Sequence, residues 1–344
     1  MSEAERRLRV AWIGCGIHAT DNLLPYLRNT RAHLTAVCDV DPRRAEHAAR
    51  VFGASDFTID YRTLLQRDDL DAVMLAVGPR QHYEIAVAAL ESGLHVFAEK
   101  PPAATAAETR DLVARAEASS RKFMTGFMKR YATVNLMTHR IIRDPSFGKP
   151  LSLVAQYMTA PFYFEDTMGF LLHHCVHYAD LVRHLMGDVR EVQVRKTMLA
   201  PTRLNLHVNL TFDSGALGFL QMGTIQSRGN PVEWLQIMSE GHRVEVDNVH
   251  RLIYYRPNGQ KWPLGEAALD PAGDALTWEP NFTAAINQDH KGYANELMHF
   301  VDSVLADEDP QPGPGDSLSA MMLLEAIAES AESGEVVDLA HLAY

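Results

Sequence analysis

The 344-residue sequence predicts an α/β protein: an N-terminal Rossmann doubly wound parallel sheet, followed by an α+β domain with a large, open, mostly antiparallel sheet. Three observations predict it. Residues 1–127 alternate short apolar runs with amphipathic helical stretches. The Gly-rich turn Gly14-Cys15-Gly16-Ile17-His18-Ala19 separates the first apolar run from the first helix. Beyond residue 148 the pattern changes to strand-length runs with few helices between them.

Leu8–Ile13 reads as the first strand and Gly14 ends it. The run closing at Ala36–Cys38 is the second, and it stops at Asp39. Asp41 offers an N-cap oxygen and Pro42 takes the first helical position, where no N–H is needed. The helix then covers Arg43–Phe52, and Gly53 ends it. Ala72–Val77 is nearly all apolar, as strands covered on both faces are. A helix over Glu84–Glu91, a strand over Leu94–Ala98, a helix over Thr105–Ser119 and a strand over Lys122–Thr125 follow. In the second part, Leu151–Thr159, Val189–Met198, Leu204–Phe212, Ala216–Ile225, Trp234–Ser239 and His242–Val246 are strand-like, with Asp213-Ser214-Gly215 as a hairpin turn. A helix over His173–Met186 interrupts them. Two helices close the chain, Gly292–Ala306 and Ser317–Ser333, around the acidic, Pro/Gly-rich loop Asp307–Asp316. The expected domains are 1–127 and 128–344, with the C-terminal helices packing back on the first.

Hydrophobic residues make up 47% and charged residues 22%, the balance of a globular protein rather than a disordered one. A formal charge of −12, with no run of five basic residues, argues against nucleic acid and against an anionic membrane surface as partners. No apolar run approaches the roughly 20 residues of a membrane helix, and the N-terminus lacks the apolar region of a secretory signal. Three scattered cysteines, Cys15, Cys38 and Cys175, suit a reducing compartment, so a cytoplasmic location is expected.

The Gly-rich turn has a physical role at each position. Gly14 permits the tight turn, Gly16 lets a pyrophosphate approach the backbone, and small Ala19 lets helix and strand pack closely. Ile17 and His18 begin the helix whose N–H groups face the phosphates. Asp39 ends the second strand, where a carboxylate accepts from the ribose diol and repels a 2′-phosphate, so NAD is the expected cofactor. Arg43 and Arg44 keep NADP as the alternative; a solvated helix face is the other role open to them. Glu99-Lys100-Pro101-Pro102 stands beyond the carboxyl end of a buried strand, where open α/β sheets place ligands. A lysine there can hold a reacting hydroxyl; a plain surface turn is the competing reading.

A second cluster is His173-His174-Cys175-Val176-His177-Tyr178-Ala179-Asp180. His173 and His177 stand i,i+4, and Asp180 is i+3 from His177. Histidine suits proton transfer near neutral pH; packed core histidines are the alternative. Metal is not expected, because the Glu of His-Glu-x-x-His is missing.

These residues resemble the Gfo/Idh/MocA family of glucose–fructose oxidoreductase, inositol dehydrogenase and relatives. The resemblance rests on GCGIHA, AVCDVDPRRAE, HYEIAVAALESGLHVFAEKPPA, GFMKRY, His177 with Asp180, GYANELMHFVDSVL and AESGEVVDL. It implies that Lys100 of the EKP motif lies near the nicotinamide and the substrate hydroxyl, with Glu99 beside it, and that His177 is the acid/base. It also implies that Val77, Gly78 and His82 line the cofactor side, although Val77-Gly78-Pro79 departs from the family's Thr-Pro-x pattern. Many family members carry Asp four residues before the histidine and Gly two before it; this chain has His173 and Cys175. A second histidine would tend to lower the basicity of His177 by like-charge repulsion. Tyr163, His173 and His174 are further candidate substrate contacts, and Phe162, Phe164 and Trp234 offer flat apolar surface to a sugar ring. The expected activity is hydride transfer at a secondary alcohol of a sugar, cyclitol or related polyol. An NAD-dependent glycosidase acting by transient oxidation and elimination, and a non-catalytic dinucleotide-binding protein, are the alternatives. A homodimer or homotetramer is expected.

Overall fold

Parallel strands buried on both faces need nearly continuous apolar sequence, and the N-terminal region has it. The computed structural model describes residues 6–161, 164–227, 231–256, 275–280 and 290–342. Within them β1 (Leu8–Ile13), β2 (Ala32–Cys38), β3 (Asp56–Thr58), β4 (Ala72–Leu75), β5 (His95–Glu99) and β6 (Phe123–Gly126) form one sheet. Its order is β3-β2-β1-β4-β5-β6 and its pairs are parallel. The order reverses direction between β1 and β4, the switch point at which such sheets bind ligands.

Val73, Leu75, Val96 and Ala98 turn to one face. There they meet Ile85, Ala86 and Ala89 of the helix Pro79–Glu91, and Leu112 and Ala116 of the helix Ala106–Ser119. Trp12, Met74 and Phe97 are fully buried. The ring of Phe97 lies 5.7 Å from that of Phe300, on the helix Tyr293–Ala306. The first unit of the chain accordingly comprises Met1–Met128 and Gly292–Met322.

Local chemistry explains where the elements depart from expectation. The helix after β4 begins at Pro79, ahead of Glu84, because Pro suits the first helical position. The helix Ile17–Asn22 breaks at Leu23 and resumes over Leu24–Leu27, where Pro25 has no N–H to continue the ladder. Strand β3 is an exposed edge strand without an apolar run to announce it.

The second unit comprises Lys129–Lys291 and Leu323–Tyr344. Its strands are β7 (Ser152–Met158), β8 (Val189–Ala200), β9 (Arg203–Phe212), β10 (Leu217–Gly223), β11 (Val232–Met238), β12 (Arg243–Asp247), β13 (Arg251–Tyr255), β14 (Leu276–Trp278) and β15 (Val336–Asp338). They lie in the order β14-β13-β12-β11-β7-β10-β9-β8-β15. Only β7 and β10 run parallel among these pairs; the others are antiparallel. Alternation in β9 buries Leu204, Leu206, Val208, Leu210 and Phe212 on one face. The turn at Asp213–Gly215 joins β9 to β10 as expected, and Gly215 takes the left-handed conformation it requires. Strands β13, β14 and β15 and the helix Thr133–Arg143 go beyond the elements read from sequence. No described helix is long and apolar enough to cross a membrane.

Candidate functional site

At the carboxyl end of β1 the backbone turns at Gly14 with φ +95°. A Cβ there would stand 2.3 Å from the carbonyl oxygen of Ala76, so no side chain fits. Gly16 is different. A Cβ built on it meets nothing within 4 Å, and it caps the helix Ile17–Asn22 without a side-chain hydrogen bond. The turn thus presents bare backbone to open space, which fits a dinucleotide pyrophosphate.

Asp39 holds this turn. Its Oδ2 accepts from the Cys15 N–H at 2.8 Å and its Oδ1 from the Asp41 N–H at 2.9 Å. A carboxylate has about four acceptor positions, so two bonds leave capacity for a ribose diol. Arg43 is turned to Asp41, with Nε and Nη2 at 3.2 and 3.1 Å from its oxygens, and this pairing holds the Asp41 carboxyl below its ordinary range. Burial first, then the charge of Asp39, pushes the Cys15 thiol up to about 12, so it has no nucleophilic role at neutral pH.

The ends of β4 and β5 lie side by side. After β4, Val77 leaves the ladder and donates its N–H to Nε2 of His82 at 3.0 Å. After β5, the Pro101 carbonyl lies 2.9 Å from Nδ1 of the same ring. His82 is 1% exposed, and burial pushes it down to about 4, against weaker opposition from the Pro101 bond. It is therefore neutral at working pH. Glu99, also buried, accepts from the Lys100 N–H at 3.1 Å and faces Nε2 of His18 at 3.5 Å. Burial opposes its charge, but the His18 bond and the charges of His18 and Lys100 outweigh it, so the carboxyl stays below its ordinary range. His18 packs edge-on against Tyr293. Lys100 thus stands on a turn anchored by Glu99 at its N–H and by His82 one residue on.

In the second unit the histidine cluster is not one regular α-helix. Leu171–Cys175 forms a π turn, closed by the Val176 N–H on the Leu171 carbonyl, and the α-helix Val176–Met186 follows. Such turns insert a residue and often mark functional sites. His173 is exposed and His177 is buried, so the two do not share the uniform face that i,i+4 spacing implies. His174 reaches the Tyr157 hydroxyl through Nδ1 at 3.0 Å and packs against Phe170. Asp180, fully buried, receives Nε and Nη2 of Arg130 at 2.7 and 2.5 Å. Lys129 pairs with Glu233 and lies 5.6 Å from the ring centroid of Tyr178. Burial, then Glu233, pushes the phenols of Tyr157 and Tyr178 up, so both stay neutral.

Arg130, Lys129, Tyr157 and Glu233 were beyond spacing arguments, since each finds its partner far along the chain. GFMKRY is the sequence signal for Lys129 and Arg130; Tyr157 and Glu233 have none. Phe162 and Tyr163 lie outside the described residues. Among the described residues no group of three His, Cys, Asp or Glu side chains gathers as a metal site.

The family model of the Gfo/Idh/MocA oxidoreductase NAD-binding Rossmann fold matches residues 8–127, and that of the family's C-terminal alpha/beta domain matches residues 163–339. The chain is 23% identical to the D-apiose dehydrogenase of Paraburkholderia graminis over 98% of this chain and 91% of that one. It is 26% identical to an inositol 2-dehydrogenase of Ralstonia nicotianae, over 96% and 95%. A solved structure of levoglucosan dehydrogenase with NADH and levoglucosan superposes with a TM-score of 0.85 at 20% identity, covering 97% of this chain and all of that one, a likeness of fold.

Proposed function

The chain belongs to the Gfo/Idh/MocA oxidoreductase family, and from that premise we propose that it is an NAD-dependent dehydrogenase of a sugar, cyclitol or related polyol. The carrying observation is Lys100, fixed beyond the carboxyl end of β5 on the sheet that also bears the bare Gly16 turn. The names of the curated relatives, an apiose and an inositol dehydrogenase, support the substrate class. Bound NAD supplies the site that takes the hydride from the alcohol carbon.

The chain's own residues do the rest. Gly14 and Gly16 open the backbone to the pyrophosphate, with Ile17 and His18 at the helix start. Asp39 holds the ribose diol with its remaining acceptor positions, and its charge disfavours a 2′-phosphate; Arg43, engaged by Asp41, does not offset this. Val77 and Gly78 border the nicotinamide side. Lys100 donates to the substrate oxygen and stabilises negative charge developing there, while His177 takes the hydroxyl proton. His173, His174 and Tyr163 contact neighbouring hydroxyls. The protein acts in the cytoplasm as a homodimer or homotetramer.

The test is incubation of the purified protein with NAD or NADP and a panel of polyols and sugars, reading net NADH or NADPH formation. Oxidation of a polyol with NAD preferred is expected. Aglycone released from glycosides without net NADH would replace this reading with redox-assisted glycoside cleavage. Absence of both activities would leave a dinucleotide-binding protein.

A further inference from the structure

We propose that His82 is a positioning residue for Lys100: a neutral imidazole of fixed tautomer that ties the backbone after β5 to the backbone after β4. The inference rests on the dehydrogenase reading only in the role it gives Lys100.

The ring's chemistry leaves one arrangement. A nitrogen that accepts from the Val77 N–H carries no proton, so Nε2 is bare. The single proton of the neutral ring then sits on Nδ1, which donates to the Pro101 carbonyl. Both nitrogens are spent on backbone, and the ring is buried, so His82 has no polar atom left for cofactor or substrate. What it does instead follows from its neighbours. Pro101 and Pro102 have no N–H, so the turn after Lys100 lacks two of the donors that usually hold a turn in place. The Lys100 N–H is taken by Glu99 and the Pro101 carbonyl by His82, one anchor on each side of the lysine. At the other end of the bridge, Gly78 starts the helix Pro79–Glu91 without a side-chain cap. His82 folds back to satisfy the Val77 N–H there. The two crossovers that flank the ligand end of the sheet are thereby held at one spacing.

Two substitutions divide the bridge. His82→Gln keeps an acceptor for the Val77 N–H but has no donor at the Nδ1 position; His82→Asn keeps a donor for Pro101 but no acceptor at Nε2. Each folded variant is read in two ways. The pH dependence of Lys100 acylation by an amine reagent, followed by peptide mass, needs no substrate. Steady-state rates on a polyol turned over by the unmutated protein give kcat and KM. In His82→Gln the acylation midpoint is expected to move by about half a pH unit or more. Its kcat is expected to fall roughly 10- to 100-fold, with KM for NAD nearly unchanged. His82→Asn, which loses the Val77 half of the bridge but keeps a donor for the Pro101 carbonyl beside Lys100, should lose less than His82→Gln in both readings. An unmoved midpoint in folded His82→Gln, or equal losses in both variants, overturns the proposal. Independently of whether either variant folds, the ¹⁵N spectrum of the unmutated protein must show His82 protonated at Nδ1, and the Nε2-protonated tautomer overturns it. A shifted midpoint in a protein that oxidises no polyol would remove the dehydrogenase reading and leave the positioning role standing.

Discussion

A valine at position 16 would project its side chain into open space, at a backbone conformation (φ −74°, ψ 175°) that valine accepts. Gly16→Val should therefore unfold within a degree or so of the unmutated protein yet bind NAD about 100-fold more weakly, because the methyls take the place of the pyrophosphate. Calorimetry and cofactor titration together check this; a large loss of Tm would mean the space is needed by the fold instead. In the proposed mechanism Lys100 and His177 act on the substrate oxygen and not on the dinucleotide. Alanine at either is expected to lower turnover by roughly 10²–10⁴ with NAD affinity little changed. The double variant should lose less than the product of the two, as residues acting as a unit do. Near-normal turnover by His177→Ala would move the proton-transfer role to another residue.

At the scale of elements, the bidentate pair of Arg130 and Asp180 holds the helix Val176–Met186 to the segment Met128–Tyr131. Both side chains are almost wholly buried. Removing one partner strands a charge, so Arg130→Met should cost about 3–5 kcal/mol, and adding Asp180→Leu should recover much of it. Urea denaturation of the three proteins checks the expected order; equal stability of single and double variants would show that the pair is not what matters. The pair also marks where sequence reading stops. Gly14, Gly16, Asp41-Pro42 and Asp213-Ser214-Gly215 announce themselves because their physics is local: a φ, a cap, a turn. Pro79 carried a legible start signal that placing the helix at Glu84 passed over. By contrast, Arg130 meets Asp180 and Lys129 meets Glu233 only after the chain has folded. The π turn at Leu171–Cys175 leaves the residue spacing looking α-helical, which is why His173 and His177 read as one face. Both bonds of His82 go to backbone groups, which have no side-chain signature in the sequence.

For the molecule as a whole, acid is the expected weak side. His82 and His95 are each pushed down to about 4 from 6.5, chiefly by burial, His95 also by Arg121 and Lys122. Their folded pKa values are depressed, so the unfolded chain takes up protons first as pH falls. Stability is full above about 6.5 and is lost progressively between 6.5 and 4. For the fully buried His82 the ceiling is about 3 kcal/mol. Denaturant midpoints at pH 7.5, 6, 5 and 4.5 should fall steadily. The slope should be shallower in His95→Asn, whose amide oxygen still accepts from the Lys122 N–H in place of Nδ1. Parallel slopes in the two proteins would show that His95 does not titrate in this window.

The discontinuous first unit bears on how the chain is made. Its opening segment ends at Met128, but Phe300, which covers Phe97, and Ser317, whose hydroxyl meets Thr125 at 2.8 Å, arrive only after the intervening Lys129–Lys291. At a synthesis rate of about 5–20 residues per second, the ribosome holds that sheet with Phe97 uncovered for roughly ten to forty seconds. Nascent chains arrested shortly after Met128 should be cut readily by protease and retained by chaperones. Chains long enough to expose Met322 should resist. Protection already present at the shorter length would mean that the six strands close without their late helix, and that the order of emergence places no demand on folding in the cell.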